Sequence, residues 1–284
     1  MPQVEAIIHG AISIVNAIAT GKGATLGISL KTKAHVDFSP GKGVIIESKN
    51  KTISSRLINN VIRKVIPKSE LDNIKIKISL QSEIPTGYGL KSSSAISTVV
   101  ALACAKIFRP KWTDNQILLA GVNASIESKV SITGAYDDAC GCYYGGYMVT
   151  DNYKRKIIKS EKGSKNLISV IFIPKSRKRG NVKNLKNLGL IFDQAWNLAS
   201  NSDYWNAMIL NGLATSIILN SDPKLITDLI DKGALGASVS GNGPAVAAIC
   251  KKEDASNIKK IFSNLQGTVI VSEINNKKAE VHEL

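Results

Sequence analysis

The sequence has few cysteines, no long apolar run and no signal-peptide pattern, and each of these shortages excludes a class of protein. Its 284 residues include 4 cysteines, too few for a disulfide-stabilised scaffold. They lie in apolar or glycine-rich surroundings typical of reduced thiols. No uninterrupted apolar run approaches 18 residues, so we expect neither a membrane span nor secretion. These features together predict a cytoplasmic protein.

Acidic and aromatic residues are also scarce, and this limits the choice of partners. The chain has 37 Lys and Arg against 22 Asp and Glu, a formal net charge of +15. Such a charge suits nucleic acid or small anionic substrates. Aromatic residues make up 5%, which leaves few stacking platforms for nucleic-acid bases, and the lysines are spread over the whole length. We therefore expect small-molecule substrates, with no nucleic acid and no membrane as partners; the oligomeric state stays open.

The length and hydrophobic content predict a folded protein of two domains. Hydrophobic residues make up 44% of the chain, and a domain takes about 150 residues. A lysine-rich polar patch at 154–165 follows a glycine-rich stretch at 134–146. We place the boundary at this change in composition, which gives domains of residues 1–155 and 156–284.

Hydrophobic periodicity predicts an alternation of strands and helices. The sequence predicts strands over 27–36, 43–47, 74–80, 167–173 and 268–274, and the period-two alternation is clearest over 74–80. A further element between 236 and 250 is either strand–loop–strand or strand–loop–helix. Helical spacing predicts helices over 53–66, 95–108, 114–129, 184–199, 203–219, 223–231 and 253–264. The glycine-rich stretch at 134–146 is predicted to be a turn.

A glycine- and serine-rich loop from Pro85 to Ser94 joins a predicted strand to a predicted helix. A helix start offers unpaired N–H groups and a partial positive charge, which together bind phosphate. Gly87 and Gly89 let the backbone approach an oxyanion closely, and the hydroxyls of 92–94 suit phosphate or a metal ion. The pattern is not a Walker A loop. A flexible, serine-capped turn is the alternative.

Acidic residues cluster around the start of the glycine-rich stretch. Glu127 lies near the end of the predicted helix over 114–129, and Asp137 and Asp138 follow Gly134. A carboxylate on a helix suits Mg²⁺, and one in a loop suits removal of a proton from a substrate hydroxyl. The alternative is a capping aspartate in a turn, which explains one of the two but not the whole cluster.

A third segment, residues 236–245, is rich in glycine and small residues, with Gly241 and Gly243 on either side of Asn242. A tight turn between two strands has the same appearance, so the segment gains weight only from occurring with the other two. The three histidines are far apart in sequence. Their spacing fits neither a zinc site nor a Ser-His-Asp hydrolase.

Taken in order, the three segments resemble the motifs of the GHMP kinases, a superfamily that includes galactokinase, homoserine kinase, mevalonate kinase and phosphomevalonate kinase. Within it, residues 16–24 (NAIATGKGA) and Thr133–Cys140 (TGAYDDAC) resemble the archaeal type of shikimate kinase. This resemblance implies an α+β fold with a ribosomal protein S5-like N-terminal half and a ferredoxin-like C-terminal half. It implies ATP and Mg²⁺ as cofactors, with phosphoryl transfer to the 3-hydroxyl of shikimate.

The resemblance also implies roles for individual residues. ATP would be bound by the first and third motifs, at Pro85, Thr86, Gly87, Tyr88, Gly89, Leu90, Lys91, Ser92, Ser93, Ser94, Gly241 and Gly243. Ser93 and Glu127 would bind Mg²⁺. Asp138 or Asp137 would accept the hydroxyl proton, and the spacing from Glu127 favours Asp138. The substrate, whose carboxylate needs a cation, would be bound by Asn16, Lys22, Arg177 and Arg179.

One departure from the superfamily pattern bears on the substrate. Mevalonate kinases usually carry a proline–glycine–lysine motif in the first strand region, which this chain lacks, so the role of that lysine is unassigned here. Homoserine and mevalonate remain alternative acceptors. A family member that has lost catalysis and serves as a binding module, or a basic nucleic-acid-binding protein, are the alternatives of a different class.

Overall fold

The computed structural model describes residues 2–48, 53–131 and 134–284. The strands are β1 (Gln3–Val15), β2 (Lys22–Pro40), β3 (Gly43–Ser48), β4 (Ile74–Ser82), β5 (Tyr147–Asp151), β6 (Lys156–Glu161), β7 (Leu167–Pro174), β8 (Ala234–Val239), β9 (Val246–Lys251), β10 (Gly267–Glu273) and β11 (Glu280–Glu283). The α-helices are α1 (Ser55–Val65), α2 (Lys68–Leu71), α3 (Ser92–Phe108), α4 (Asp114–Glu127), α5 (Tyr136–Tyr144), α6 (Gly189–Ser200), α7 (Tyr204–Ile218), α8 (Pro223–Asp231) and α9 (Ala255–Ser263). Two 3₁₀ helices cover Val182–Leu188 and Lys252–Asp254.

Seven strands form the larger sheet, in the order β11-β1-β2-β4-β3, with β5 paired to β2 and β6 paired to β5. Strands β3 and β4 are parallel, and the other pairs are antiparallel. The glycines that interrupt the apolar pattern near the N-terminus lie inside β1 and β2, and the pairing shifts between His9 and Gly10. A glycine in a strand often marks such a bulge, which is why these long strands look broken in the sequence.

Helix α3 is the centre of the N-terminal half. It packs on β1 and β2, and α1 and α4 pack against it. Every residue from Ser94 to Ala105 is buried, so the helix has no polar face, as expected of a helix enclosed by other elements. A capping box between Thr113 and Gln116 fixes the start of α4, where the sequence predicts it.

The C-terminal half contains a four-stranded antiparallel sheet in the order β10-β7-β9-β8. Numbered along the chain this order is 4-1-3-2, which is the ferredoxin-like arrangement that the resemblance implies. Helix α7 contacts β8 of this sheet and β1 of the larger sheet, so it joins the two halves.

The two halves divide later in the chain than the composition suggests. Strand β6 begins at Lys156 but pairs with β5 in the larger sheet, so the smaller sheet starts only at Leu167 with β7. The last strand, β11, returns to pair with β1. A division at residues 155 and 156 would therefore cut through a hairpin, and it would assign the C-terminal strand to the wrong sheet.

The predicted turn at 134–146 contains a helix, α5. Its sequence, YDDACGCYY, combines aromatic residues, cysteine and glycine, all of which have modest or poor helix propensity. The helix is stabilised by packing on β1 and β2. Gly141 lies directly against Thr25 and Ala11, where a Cβ atom would collide. Tertiary packing therefore decides the structure here, and it places Asp137 and Asp138 in the first turn of a helix.

The sequence predicts reduced cysteines and no membrane span. All four cysteines are buried and free, in agreement with the expectation of reduced thiols. No helix in the described part of the chain has the length and apolar character needed to cross a bilayer.

Candidate active site

The three motifs line one open cleft. Its walls come from β1, the loop before α3, the end of α4, the start of α5 and the loop between β8 and β9. The lining residues are Ser13, Asn16, Ala17, Ile18, Gly87, Gly89, Lys91, Ser92, Ser93, Ser94, Ser125, Val130, Ser131, Ala135, Asp137, Asp138, Val182, Gly241 and Asn242.

The start of α3 points into the cleft. The first helical hydrogen bond runs from the Ala95 N–H to the Lys91 carbonyl, at 2.9 Å, so the N–H groups of Ser92–Ser94 precede the helical ladder. No acidic residue lies in this first turn. With three hydroxyls and the positive end of the helix dipole, the site favours an oxyanion such as phosphate.

Lys91 brings the three motifs together. Its backbone is left-handed, with φ 67°, and its side chain is 4% exposed. The Nζ atom donates to Ser13 Oγ at 2.7 Å and lies 2.6 Å from Asp138 Oδ1. Burial lowers the pKa of Lys91, but the Asp138 and Asp137 carboxylates outweigh burial and leave it raised. The ammonium group is therefore charged in the cleft.

Asp137 has a different environment, although it is adjacent in sequence. The residue is 3% exposed, and its Oδ1 accepts a hydrogen bond from Asn152 Nδ2 at 2.7 Å. Burial, and next the charge of Asp138, raise the pKa of Asp137 to about 7. The two aspartates therefore differ in role: Asp138 faces an ammonium group, and Asp137 is bound by a neutral amide.

The third motif supports the first by direct contacts. Ser240 Oγ donates to the Gly89 carbonyl at 3.0 Å, and the Gly241 N–H donates to Ser13 Oγ at 2.9 Å. Gly241 and Asn242 line the cleft, whereas Gly243 lies behind them. The Gly243 carbonyl instead accepts a hydrogen bond from Arg179.

Some members of the predicted phosphate loop support the cleft without lining it. Leu90 is buried in the core at 1% exposure. The Tyr88 carbonyl accepts a hydrogen bond from the Ala245 N–H at 3.1 Å. Pro85 and Thr86 precede Gly87, the first residue of the loop that lines the cleft. None of these four residues is part of the cleft lining.

Glu127, expected beside Ser93, lies elsewhere. Its carboxylate forms a short ion pair with Lys64, its side chain is 55% exposed, and it lines a separate polar groove next to Arg56 and Arg63. The residue of the same helix that reaches the cleft is Ser125. Ser125 and Glu127 are two residues apart on α4, and side chains two residues apart point to different sides of a helix. Of the quoted second motif, Thr133 lies outside the described residues.

Two of the predicted substrate residues are occupied by other contacts. Asn16 is buried and its Nδ2 donates to the Gly241 carbonyl at 2.5 Å, so it fastens the end of β1 to the third motif. Lys22 lies 3.1 Å from Asp193 and 5.1 Å over the ring of Trp196. Its charge is directed to α6 rather than to the cleft.

The basic segment after β7 lies against both glycine loops. Arg179 Nη1 donates to the Gly243 carbonyl at 2.9 Å, and the Arg177 guanidinium lies 4.9 Å over the ring of Tyr88. Arg177 is also next to Gly87, which lines the cleft. Arg179 thus stabilises a loop, while Arg177 lies at the rim.

Sequence reasoning included Lys91 only as one member of a phosphate loop. The sequence did indicate a special role for Lys91, because it stands among small residues directly before an apolar helix, where no surface position is expected. Its partner Ser13 carries no such signal, because the contact spans 78 residues and depends on how β1 and α3 pack.

The contact between the first and third motifs gives a testable prediction. A Cβ atom at Gly89, where φ is +84°, would collide with the Ser240 carbonyl oxygen. Left-handed backbone costs an alanine about 1–2 kcal/mol at either Gly87 or Gly89. Because of the added collision, we expect Gly89→Ala to separate the two loops and weaken ATP binding at least about tenfold more than Gly87→Ala does. Gly87→Ala is the matched control, because its φ is +85° but its nearest new contact is Arg177 at 3.6 Å. Calorimetric titration with ATP measures both variants, and equal losses would contradict the role given to the Gly89–Ser240 contact.

Comparison with known proteins agrees with this geometry. The family model described as GHMP kinases N terminal domain matches residues 56–146, and the model described as GHMP kinases C terminal matches residues 207–266. Curated relatives named shikimate kinase match over almost the whole chain. The protein from Methanosarcina acetivorans is 36% identical and covers 96% of this chain and 95% of its own length. The protein from Pyrococcus furiosus is 33% identical, over 92% and 96% respectively.

Solved structures have the same fold at low sequence identity. A homoserine kinase from Cytophaga hutchinsonii superimposes with a TM-score of 0.76 at 18% identity, covering 99% of this chain and 97% of its own. The mevalonate kinase of Methanococcus jannaschii also gives 0.76, at 17% identity, covering 96% and 98%. The two matched family models, the relatives that match along the chain and the shared two-domain fold lead to one conclusion: the chain belongs to the GHMP kinases.

Proposed function

We propose that this protein transfers the γ-phosphoryl group of ATP to the 3-hydroxyl of shikimate, giving shikimate 3-phosphate and ADP, as a step of aromatic amino-acid biosynthesis. The observation that carries the proposal is similarity at 33–36% identity to curated shikimate kinases over 92–97% of the chain. The cleft adds the chemistry, because a phosphate-binding helix start lies beside a carboxylate and an ammonium group. Phosphoryl transfer depends mainly on such positioning and charge neutralisation.

The N–H groups and hydroxyls of Ser92–Ser94 hold the β- and γ-phosphates of ATP in this proposal. Gly87, Gly89 and Gly241 leave space for the phosphates to approach the backbone. The cleft end near Ser125 and Ser131 lies on the side of α4, and the end near Ile18 and Val182 lies on the side of the C-terminal half. A nucleotide and a small acceptor can therefore meet at the start of α3.

The residues of the cleft suit Mg²⁺ bound together with a nucleotide. Among the described residues, no group of three or more His, Cys, Asp and Glu side chains could hold a metal ion. The serine hydroxyls are hard oxygen donors, and Mg²⁺ is commonly held by few protein ligands plus substrate phosphates. Ser93 is our proposed ligand. Glu127 is the second candidate, and its carboxylate would have to leave Lys64 to serve. The ion, when bound, neutralises charge on the phosphates.

We assign Asp138 as the base. Its carboxylate lines the cleft, beside the start of α3, and Lys91 contacts it. A carboxylate at this place can take the proton of an acceptor hydroxyl as that oxygen attacks the γ-phosphorus. The Lys91 ammonium group stays beside the reacting centre throughout and offsets the negative charge gathered there.

Arg177 is the candidate for binding the acceptor carboxylate, since Lys22, Asn16 and Arg179 each have partners in the protein. An arginine fork grips a carboxylate with two hydrogen bonds. We expect Arg177→Ala to raise the KM for the acceptor about ten- to a hundredfold, the cost of roughly 1.5–3 kcal/mol for charged hydrogen bonds. The KM for ATP is expected to stay within about twofold of the control Lys178→Ala. Steady-state kinetics with each substrate varied checks this, and a selective rise in the KM for ATP would assign Arg177 to the nucleotide instead.

The proposed function is tested by ADP release with ATP and Mg²⁺ against shikimate, homoserine and mevalonate. Release with shikimate alone supports the proposal. Release with homoserine or mevalonate instead would keep the GHMP kinase reaction but change the assigned acceptor. ATP binding without release for any of them makes the chain a binding module, whereas salt-sensitive DNA binding without nucleotide affinity supports the nucleic-acid alternative. The cytoplasmic location remains a prediction from composition.

A further inference from the structure

The start of α5 places two adjacent carboxyl groups, of buried Asp137 and partly exposed Asp138, beside one contacting cation among the described residues. Asp137 and Asp138 both line the cleft, and Asp138 is paired with Lys91 at 2.6 Å. Two other charged side chains lie near this turn. Lys22, next to Gly23, contacts Asp193 on α6, and Asp151, next to Asn152, pairs with Lys154. Two adjacent negative charges, that of Asp137 fully buried, would thus share one ammonium group.

The side chain that hydrogen-bonds the Asp137 carboxyl is a neutral amide. Asn152, in the turn between β5 and β6, donates its amide to Asp137 Oδ1 and accepts from the Asp137 N–H at 3.0 Å. The amide cannot turn round, because its oxygen also accepts from Thr150 Oγ1 at 2.9 Å. On the opposite side, Oδ2 lies against the backbone of Gly23 on β2.

The remaining titratable groups near Asp137 do not compensate a negative charge. On α5 itself these are Asp138, Cys140 and Cys142, and burial raises the pKa of both thiols well above neutrality. From α3 the facing group is Lys91, already paired with Asp138. A second buried carboxylate without its own cation costs several kcal/mol and instead keeps its proton. The raised pKa of Asp137 agrees with this environment.

We propose that the tandem aspartates carry one proton and one negative charge in the resting enzyme, with the charge on Asp138 and the proton on Asp137. Asp137 is then a positioning residue: as a neutral carboxyl it fastens the first turn of α5 to the Asn152 turn and directs Asp138 towards Lys91. Ionisation of Asp137 places a second negative charge beside the anionic substrates and the base, and this inactivates the site. The kinetic part of this inference rests on the proposed function.

The decisive variant is Asp137→Asn, which copies the neutral carboxyl. We expect kcat/KM of the wild type to fall about a hundredfold from pH 6 to pH 9, since about one molecule in a hundred keeps a proton two units above its pKa. The kcat/KM of Asp137→Asn is expected to change by no more than about threefold over the same range. Ionisation of ATP affects both proteins equally. Asp151→Asn, the same change at another buried aspartate nearby, is expected to keep the wild-type profile.

Two outcomes overturn the inference: Asp137→Asn as inactive as Asp138→Asn, or Asp137→Asn with the wild-type pH profile. A second measurement needs no acceptor. Carbon-13 NMR of aspartate carboxyls in the free protein is expected to show one resonance that titrates near neutrality and is missing from Asp137→Asn. If that resonance titrates near pH 4, the inference fails whatever the substrate. If it titrates near neutrality but shikimate is not phosphorylated, the proposed function fails and the charge assignment stands.

Discussion

Replacing Asp138 with Asn is expected to reduce kcat about 10²- to 10⁴-fold, the usual contribution of a positioned general base. The amide keeps the shape of the side chain but cannot take up the acceptor proton. ATP affinity is expected to stay within about threefold, because in the proposed function the phosphates are bound by the N–H groups and hydroxyls at the start of α3, whereas Asp138 lies on α5. The measurements are steady-state turnover and calorimetric binding of ATP on the same preparation.

Asp151→Asn is the control for a neutralised buried aspartate, since Asp151 pairs with Lys154 at 3.8 Å and lies outside the cleft lining. Turnover of Asp138→Asn within tenfold of the wild type would remove Asp138 as the base. A matching loss of ATP binding would point to a collapsed cleft instead. Asp137→Asn then completes the comparison, because the two adjacent aspartates are predicted to respond in opposite ways to the same substitution.

Local pattern was sufficient to predict most of the elements of the fold. Helix α1 begins where Ser54 accepts a hydrogen bond from the Leu57 N–H, and its buried residues follow the helical repeat that the sequence displays. Strand β4 alternates buried and exposed residues, as its period-two pattern indicates. These elements are stabilised by one buried face each, so periodicity reports them directly.

Three elements were missed because interactions with distant parts of the chain decide them. Helix α5 is buried at most positions, and its glycine is required by contact with β2 rather than by a turn. Strand β5 is buried at all five residues, so it shows no alternation. Strand β11 is formed by pairing with a segment more than 270 residues earlier. In each case the deciding interaction joins residues far apart in sequence.

The same distinction applies to the site. Gly89 and Ser92–Ser94, predicted to act through the backbone, do line the cleft, because the loop itself supplies their geometry. The ion-pair partners of charged residues could not be predicted, since they depend on contacts between residues far apart in sequence. Lys22 pairs with a residue 171 positions away, and Glu127 pairs with Lys64 on a neighbouring helix. Lys91, included only as a loop member, turns out to be the cation of the cleft.

Lys91 is therefore the residue whose loss has the largest expected effect on both stability and turnover. Lys91→Met keeps most of the side-chain volume but leaves the Asp138 carboxylate, 18% exposed, without its cation. Removing one partner of a buried ion pair costs about 3–5 kcal/mol, and the partial exposure of Asp138 argues for the lower end. Denaturant unfolding at neutral pH measures this loss. Lys178→Met, on the exposed basic segment, is the surface control and is expected to change stability by less than about 0.5 kcal/mol.

The double variant Lys91→Met/Asp138→Asn distinguishes two roles of the Lys91–Asp138 ion pair, in the stability of the fold and in catalysis. With both charges removed, no buried charge is left uncompensated, so we expect most of the stability lost in Lys91→Met to return, whereas turnover stays as low as in Asp138→Asn. A double variant as unstable as Lys91→Met would mean that Lys91 acts through packing against Ser13 and Gly241. Wild-type turnover in Lys91→Met would mean that its ammonium group has no part in the reaction.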